Sequence, residues 1–183
     1  MLRVANPRAT FSVISIHDPA IAATPKATRD RFEKSPRTAD DEKALTFAAG
    51  EPPTRFTLRT LRAYEAAALL DRQHVVGATP GGQTPPAPDA SPADADTQRA
   101  VIETRMAATN IEAFRVAFVA VEGMVDATGA PVALQMESDG AGGRVLARAA
   151  IDESFSGPLL AVAIDLGRWV LAANGLTGAD RRG

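Results

Sequence analysis

An α+β fold, mainly helical with a small N-terminal β-hairpin or sheet, is predicted by three features of this 183-residue chain. Two short runs in its first third have strand length: FSVISI (Phe11–Ile16), rich in β-branched and aromatic residues, and Phe56–Arg59, where apolar and polar residues alternate. Ile111, Phe114, Phe118, Val121 and Val125 recur at spacings of three and four, the period of one helix face. The last long apolar segment, Leu159–Ala173, follows the breaker pair Gly157-Pro158 and has helix length.

Taken in order, Phe11–Ile16 is read as a strand ended by the turn-forming His17-Asp18-Pro19. Lys26–Lys43 carries charges of both signs around Ser35-Pro36 and is read as an exposed arm, with one helical turn around Arg29–Lys34. Leu45 and Phe47 alternate with polar or small neighbours, as do Phe56 and Leu58, and Gly50-Glu51-Pro52-Pro53 lies between them. That pattern predicts a β-hairpin with one wet face. Thr60 is the expected N-cap of a helix through Gln73 that covers Leu61, Tyr64, Ala68 and Leu69.

Gly77–Asp96 holds five prolines and three glycines, with no apolar side chain larger than alanine apart from the prolines. Such a segment cannot bury enough surface to offset the cost of ordering, so it is read as a flexible linker or loop. It divides the chain into residues 1–76, a strand or hairpin and helix region with an exposed arm, and residues 97–183, a helical region. In the second part a long helix is expected over Thr97–Met124, ended by Gly123 and the Asp126–Pro131 turn. Val132–Met136 is then an extended segment, Asp139–Gly143 a loop, Arg144–Phe155 helical, and the last helix runs to about Asn174.

Composition limits the function classes. A net charge of -2 argues against affinity gained by neutralising phosphates, so nucleic acid is not an expected partner. The absence of cysteine removes disulfides, thiolate nucleophiles and Cys-ligated metals, and fits a reducing cytoplasm. The N-terminal apolar stretch is shorter than a secretory h-region, and Asp165 and Arg168 interrupt the last apolar segment, which is shorter than the roughly 20 residues of a membrane span. A soluble protein with no membrane partner is expected. Aromatics make up 5% of the chain against 45% hydrophobic residues, much of it alanine, so the predicted core is thin and leaves room for a partner to complete it.

Reactive side chains are sparse. Ser15, His17 and Asp18 are close in sequence, but neighbours on an extended segment point to alternating sides, and triads are assembled from separated parts of a fold. The expected reading is a polar turn closing a strand. His17 and His74 lack metal-ligand spacing and a third histidine, and Asp139-Gly-Ala-Gly-Gly-Arg144 lacks the Lys-Ser/Thr pair of a phosphate-binding loop. Asp165 and Arg168 are three apart on the last helix and can pair, marking either an interface or an exposed strip. No catalytic, cofactor-binding or metal-binding residues are expected.

Phe56, Leu58 and Leu61 before an alanine-rich helix, with VEGMVDATGAPV (Val121–Val132) after a long one, form a recognisable order. It resembles the tail assembly chaperones of bacteriophages, in which a strand of form φ-x-φ-x-x-L precedes an amphipathic helix. In that family a later helix ends before Asp-x-x-Gly-x-Pro-Val, matched here by Asp126, Gly129, Pro131 and Val132, with Val121, Glu122 and Gly123 preceding them. The likeness covers about half of the chain, which differs in lacking an aromatic near Glu122, in its Gly77–Asp96 insertion and in a longer N-terminal part. It implies a non-enzymatic tail assembly factor in the host cytoplasm or the virion, binding an apolar helical protein such as the tape-measure protein, or tail-tube subunits. Phe114, Phe118, Leu166 and Trp169 are the candidate partner-binding residues, some of which are expected to lie in a contiguous exposed patch on the long and final helices. The alternative is a structural connector of the mature particle that uses the Arg29–Lys43 arm as a clasp.

Overall fold

The computed structural model describes residues 9–34, 42–47, 52–77 and 92–175. Strand β1 (Thr10–Ile14) pairs antiparallel with β2 (Arg55–Arg59), which pairs antiparallel with β3 (Phe118–Glu122), giving the sheet order β1-β2-β3. Around it lie helices α1 (Lys26–Lys34), α2 (Ala63–Gly77), α3 (Pro92–Ala117), α4 (Arg148–Ser154) and α5 (Leu159–Ala173). A second, two-stranded sheet joins β4 (Met136–Ser138) to β5 (Arg144–Leu146). The fold is α+β.

Period-2 alternation sets the inner face of the first sheet. Phe56 and Leu58 are buried, and their partners across the ladders are Val13 and Phe11 on β1, and Val121 and Phe118 on β3. The expected local hairpin is not formed: both partners of β2 are distant in sequence, because an alternating strand specifies a buried face and not which strand lies beside it. Leu45 instead packs with Ile14 and Ile21 in a small second cluster. The Thr24 hydroxyl fastens that segment by donating to the Thr46 carbonyl at 3.1 Å and accepting from the Thr46 N–H at 2.9 Å.

The long helix ends at Ala117, earlier than expected, and its last turns are replaced by β3. A shift in the β2–β3 register after Thr57 leaves Val119 as an extra residue, so Phe118 and Val121 both face inward while Val119 and Ala120 are exposed. The bulge thus gives a strand the i, i+3 spacing of a helix face. At the other end α3 includes Pro92–Asp96, within the segment read as a linker, and residues 78–91 of that segment lie outside the described ones. The proposed break at Ser35-Pro36 also lies outside them, whereas α1 extends the expected single turn to nine residues.

Helix α2 starts at Ala63 instead of after Thr60, whose N–H continues the sheet pairing by donating to the Ala9 carbonyl at 3.1 Å. Its buried side carries Glu65 and Leu69, Leu61 just before it is also buried, and the expected Tyr64 and Ala68 are exposed. Glu65 is held there by a fork from Arg59 at 2.6 and 2.8 Å, and accepts from the Arg62 N–H at 2.7 Å. Arg144–Phe155 is divided into β5 and α4 instead of forming one helix, since the Asp139–Gly143 loop returns the chain antiparallel to β4.

One core draws on both parts of the chain: Val13, Phe56, Leu58, Leu61 and Leu69 pack with Phe114, Phe118, Phe155, Val162, Leu166 and Val170 among others. Helices α3 and α5 approach closely where Gly167 stands against the Asn110 backbone. No helix among the described residues is long and apolar enough to cross a membrane.

Candidate functional site

Three of the four candidate partner-binding residues are core. Phe114, Phe118 and Leu166 are buried, and the Phe114 ring packs edge-on against Phe155 at 5.1 Å, Phe118 at 5.8 Å and Phe56 at 5.9 Å. Trp169 is half-buried, its ring 4.1 Å from that of Phe11. The expected patch is absent because α3 and α5 turn these faces toward each other and the sheet, with alanine and glycine at the contact allowing close approach.

The residues weighed for chemistry have other duties. The Ser15 hydroxyl donates to the buried Asp165 carboxylate at 2.9 Å, and the same carboxylate oxygen accepts from the Ile16 N–H at 3.1 Å. Asp165 therefore ties α5 to the end of β1. His17 is exposed, and Asp18 caps a short 3-10 helix at Pro19–Ile21 through the Ala20 N–H at 2.8 Å and accepts from the Thr54 N–H at 2.6 Å. His74 lies in α2, its side chain outside the described residues. Among the described residues no group of three or more His, Asp or Glu is arranged to hold a metal ion. In the Asp139–Gly143 loop the N–H groups of Ala141 and Gly143 donate to Asp139 at 2.8 and 2.7 Å, which holds that carboxyl below its usual range.

Two cavities on the described surface bear on the candidate site. The first, about 240 Å³, lies between α2, α3 and the β4–β5 hairpin, with Glu112 in its lining. Arg115 forks onto Glu112 at 2.9 and 3.0 Å, and reaches Glu137 at 2.8 Å and the Leu146 carbonyl at 3.2 Å. Arg148 and Arg72 lie 3.4 and 3.9 Å from Glu112. Burial pushes the Glu112 carboxyl up, but the Arg115 hydrogen bond and the three guanidinium charges outweigh it and hold the group below the ordinary carboxylate range. These charges engage one another, and the network clamps the hairpin to the helices.

The second cavity, about 200 Å³, is lined by Ser15, Asp18, Pro19, Thr54, Phe56, Gly123, Met124, Val125, Phe155, Leu159 and Val162. Its wall is the segment that follows β3. Gly123 adopts φ +79°, and a side chain there would meet the Pro53 carbonyl oxygen at 3.1 Å. Beyond it, Asp126 accepts from the N–H and hydroxyl of Thr128 at 2.8 and 2.7 Å and from the Ala130 N–H at 3.0 Å, bonds that also lower its pKa. Gly129 takes φ +83°, Val125 bridges to Pro131, and the Val132 N–H returns to the Met124 carbonyl at 3.0 Å. The polar turn thus folds the chain back and presents Met124 and Val125 beside the start of α5.

Of the polar side chains in the lining of this second cavity, Ser15 and Asp18 already bond within the chain. Its rim is apolar, with Val125 57% and Leu159 39% exposed and Leu160 exposed next to it. The volume falls below the roughly 300–1,000 Å³ of small-molecule and cofactor sites and suits one apolar anchor side chain. Met124, Val125, Phe155 and Leu159 were not singled out as a site in the sequence. The signal was present in the breaks at Gly123 and Gly157-Pro158, which bring two apolar stretches to the surface.

No protein-family model, curated protein or solved structure matches this chain. Of the motif residues read in the sequence, Phe56, Leu58 and Leu61 are core and Gly123–Val132 forms the turn at the second cavity.

Proposed function

We propose that this chain is a non-enzymatic assembly factor of a bacteriophage tail that binds an apolar helical segment of a tail protein, such as the tape-measure or tail-tube protein. The observation that carries the reading is the apolar cavity walled by Gly123-Met124-Val125, the segment that bears the family likeness. An amphipathic partner helix places one large apolar side chain in it and rests neighbouring ones on Val125, Leu159 and Leu160. Ser15 and Asp18 already bond within the chain, so binding draws mainly on buried apolar area. Phe114, Phe118 and Leu166 serve this role indirectly, by fixing the elements that shape the cavity.

Co-expression with a tape-measure or tail-tube protein tests it. The parent chain should raise the soluble yield of its partner and co-purify with it, whereas Val125→Asp and Leu159→Asp should lose the complex while unfolding as the parent does. Unchanged capture by both folded variants would remove the cavity from the reading. Stoichiometric amounts in purified virions would favour the structural connector over the assembly factor.

A further inference from the structure

Helix α3 is covered along only part of its length. Thr109, Asn110, Ala113, Phe114, Val116 and Ala117 are buried, but Asp96, Thr97 and every residue from Arg99 to Met106 are exposed. At about 100° per residue, Ile102 and Met106 lie on the stripe that continues through Thr109, Asn110, Ala113 and Ala117, the side packed toward α5. Ile102 and Met106 are 46% and 58% exposed, so an apolar face begun in the core runs out uncovered. A solvated helix half gains little from propensity alone, and packing of its apolar face is what usually holds one.

We infer that this half of α3 pairs antiparallel with the same half of a second copy of the chain, around a two-fold axis near Val101. Two observations choose a second copy over another occupant. The uncovered stripe continues an existing helix-packing face. The stripe carries a self-complementary pair: at the same 100° per residue Arg99 falls at the angle of Ala117 and Glu103 about 40° further round, 3.9 Å apart, with side chains 79% and 72% exposed. A two-fold axis brings like faces together, so Arg99 meets Glu103 of the other copy and Glu103 meets its Arg99. Ile102 packs beside its own copy at the centre. Val101 projects about 120° from the middle of the stripe and stays outside the contact.

The contact spans about three helical turns, less than a standard interface of roughly 1,200 Å² or more, so pairing is concentration dependent. Exposed ion pairs add little affinity and mainly set orientation and register. The inference is independent of the proposed tail function.

Sedimentation equilibrium of the full chain tests it. The mass should rise from 19.1 kDa toward that of a dimer with concentration. Ile102→Glu and Met106→Glu should each weaken pairing by roughly tenfold or more, because each buries a charge at the seam, and Val101→Glu should change it by less than about threefold. Arg99→Glu and Glu103→Arg should each weaken self-pairing, while an equimolar mixture of the two variants pairs again, since every charge then faces its opposite across the axis. A monomer at all concentrations up to about 1 mM overturns the proposal. So does equal weakening by Val101→Glu and Ile102→Glu, or a mixture that does not recover.

Discussion

Gly167→Ala opposes two effects whose magnitudes the structure separates. Gly167 lies inside α5, where alanine is favoured over glycine by about 0.8–1.0 kcal/mol, so helix propensity alone makes the variant more stable. A Cβ at this position would lie 1.7 Å from the Asn110 carbonyl oxygen, 2.4 Å from its carbonyl carbon and 2.8 Å from its Cα. Ordinary contact begins at 3.4 Å, so even the longest of these is too close and the two helices must open. Backbone cannot rotate aside as a side chain does. The helices must separate, and a gap of about 0.5–1 Å already forfeits a quarter to a half of each dispersion contact. Leu166, Val170, Ala113 and Ala163 are fully buried in the same core and lose packing together. Overpacking of about 1–3 kcal/mol, with the added loss of contacts, outweighs the propensity gain and leaves a net loss of about 2 kcal/mol. In urea the midpoint should fall with the slope unchanged, and in a thermal scan the midpoint should drop by roughly 4–8 °C. Asn110→Ala should not rescue the variant, because the obstructing atoms belong to the main chain. A Gly167→Ala protein as stable as the parent would refute the backbone contact between α3 and α5.

Two further substitutions probe other joints. Glu112→Gln should flatten the acid limb of the stability profile: the folded carboxyl is held below its unfolded value, so its contribution is complete above about pH 4.3 and is lost as pH falls through the folded value. Thermal scans from pH 7 to 3 should show the parent losing stability faster than the variant, and parallel curves would deny the clamp. Gly123→Ala should cost about 1–2 kcal/mol in urea unfolding, since φ +79° and the Pro53 carbonyl both oppose a Cβ, and a neutral result would mean that the turn after β3 relaxes freely.

Local pattern identified the strand at Thr10–Ile14, the inward pair Phe56 and Leu58, and the helix that follows Pro158, because each has a period that one structure satisfies. It misplaced Phe118–Glu122, because one bulge residue lets Phe118 and Val121 share a face with helical spacing. It also paired β2 with the nearest alternating segment, although alternation carries no information about distant partners. The second cavity shares that limit. Its lining comes from Ser15–Pro19, Thr54–Phe56, Gly123–Val125 and the stretch from Phe155 to Val162, four segments joined only by topology.

The low aromatic content suggested a thin core, and hence bare faces on the long and final helices. That step treated apolar content as if it measured fit. Ala113, Ala117, Ala163 and Gly167 contribute little area themselves, but their size brings α3 and α5 close enough for Phe56, Phe114, Phe118 and Phe155 to interlock in one aromatic cluster. Small residues at a crossing raise the burial of the large ones beside it, so an alanine-rich composition is compatible with fully covered phenylalanines. Uncovered apolar surface then appears where the close-packed stretch ends: along α3 at Ile102 and Met106, and at the start of α5 with Val125, Leu159 and Leu160. The apolar surface left open for contact lies at those ends of the packed helices, and their seam is committed to the fold.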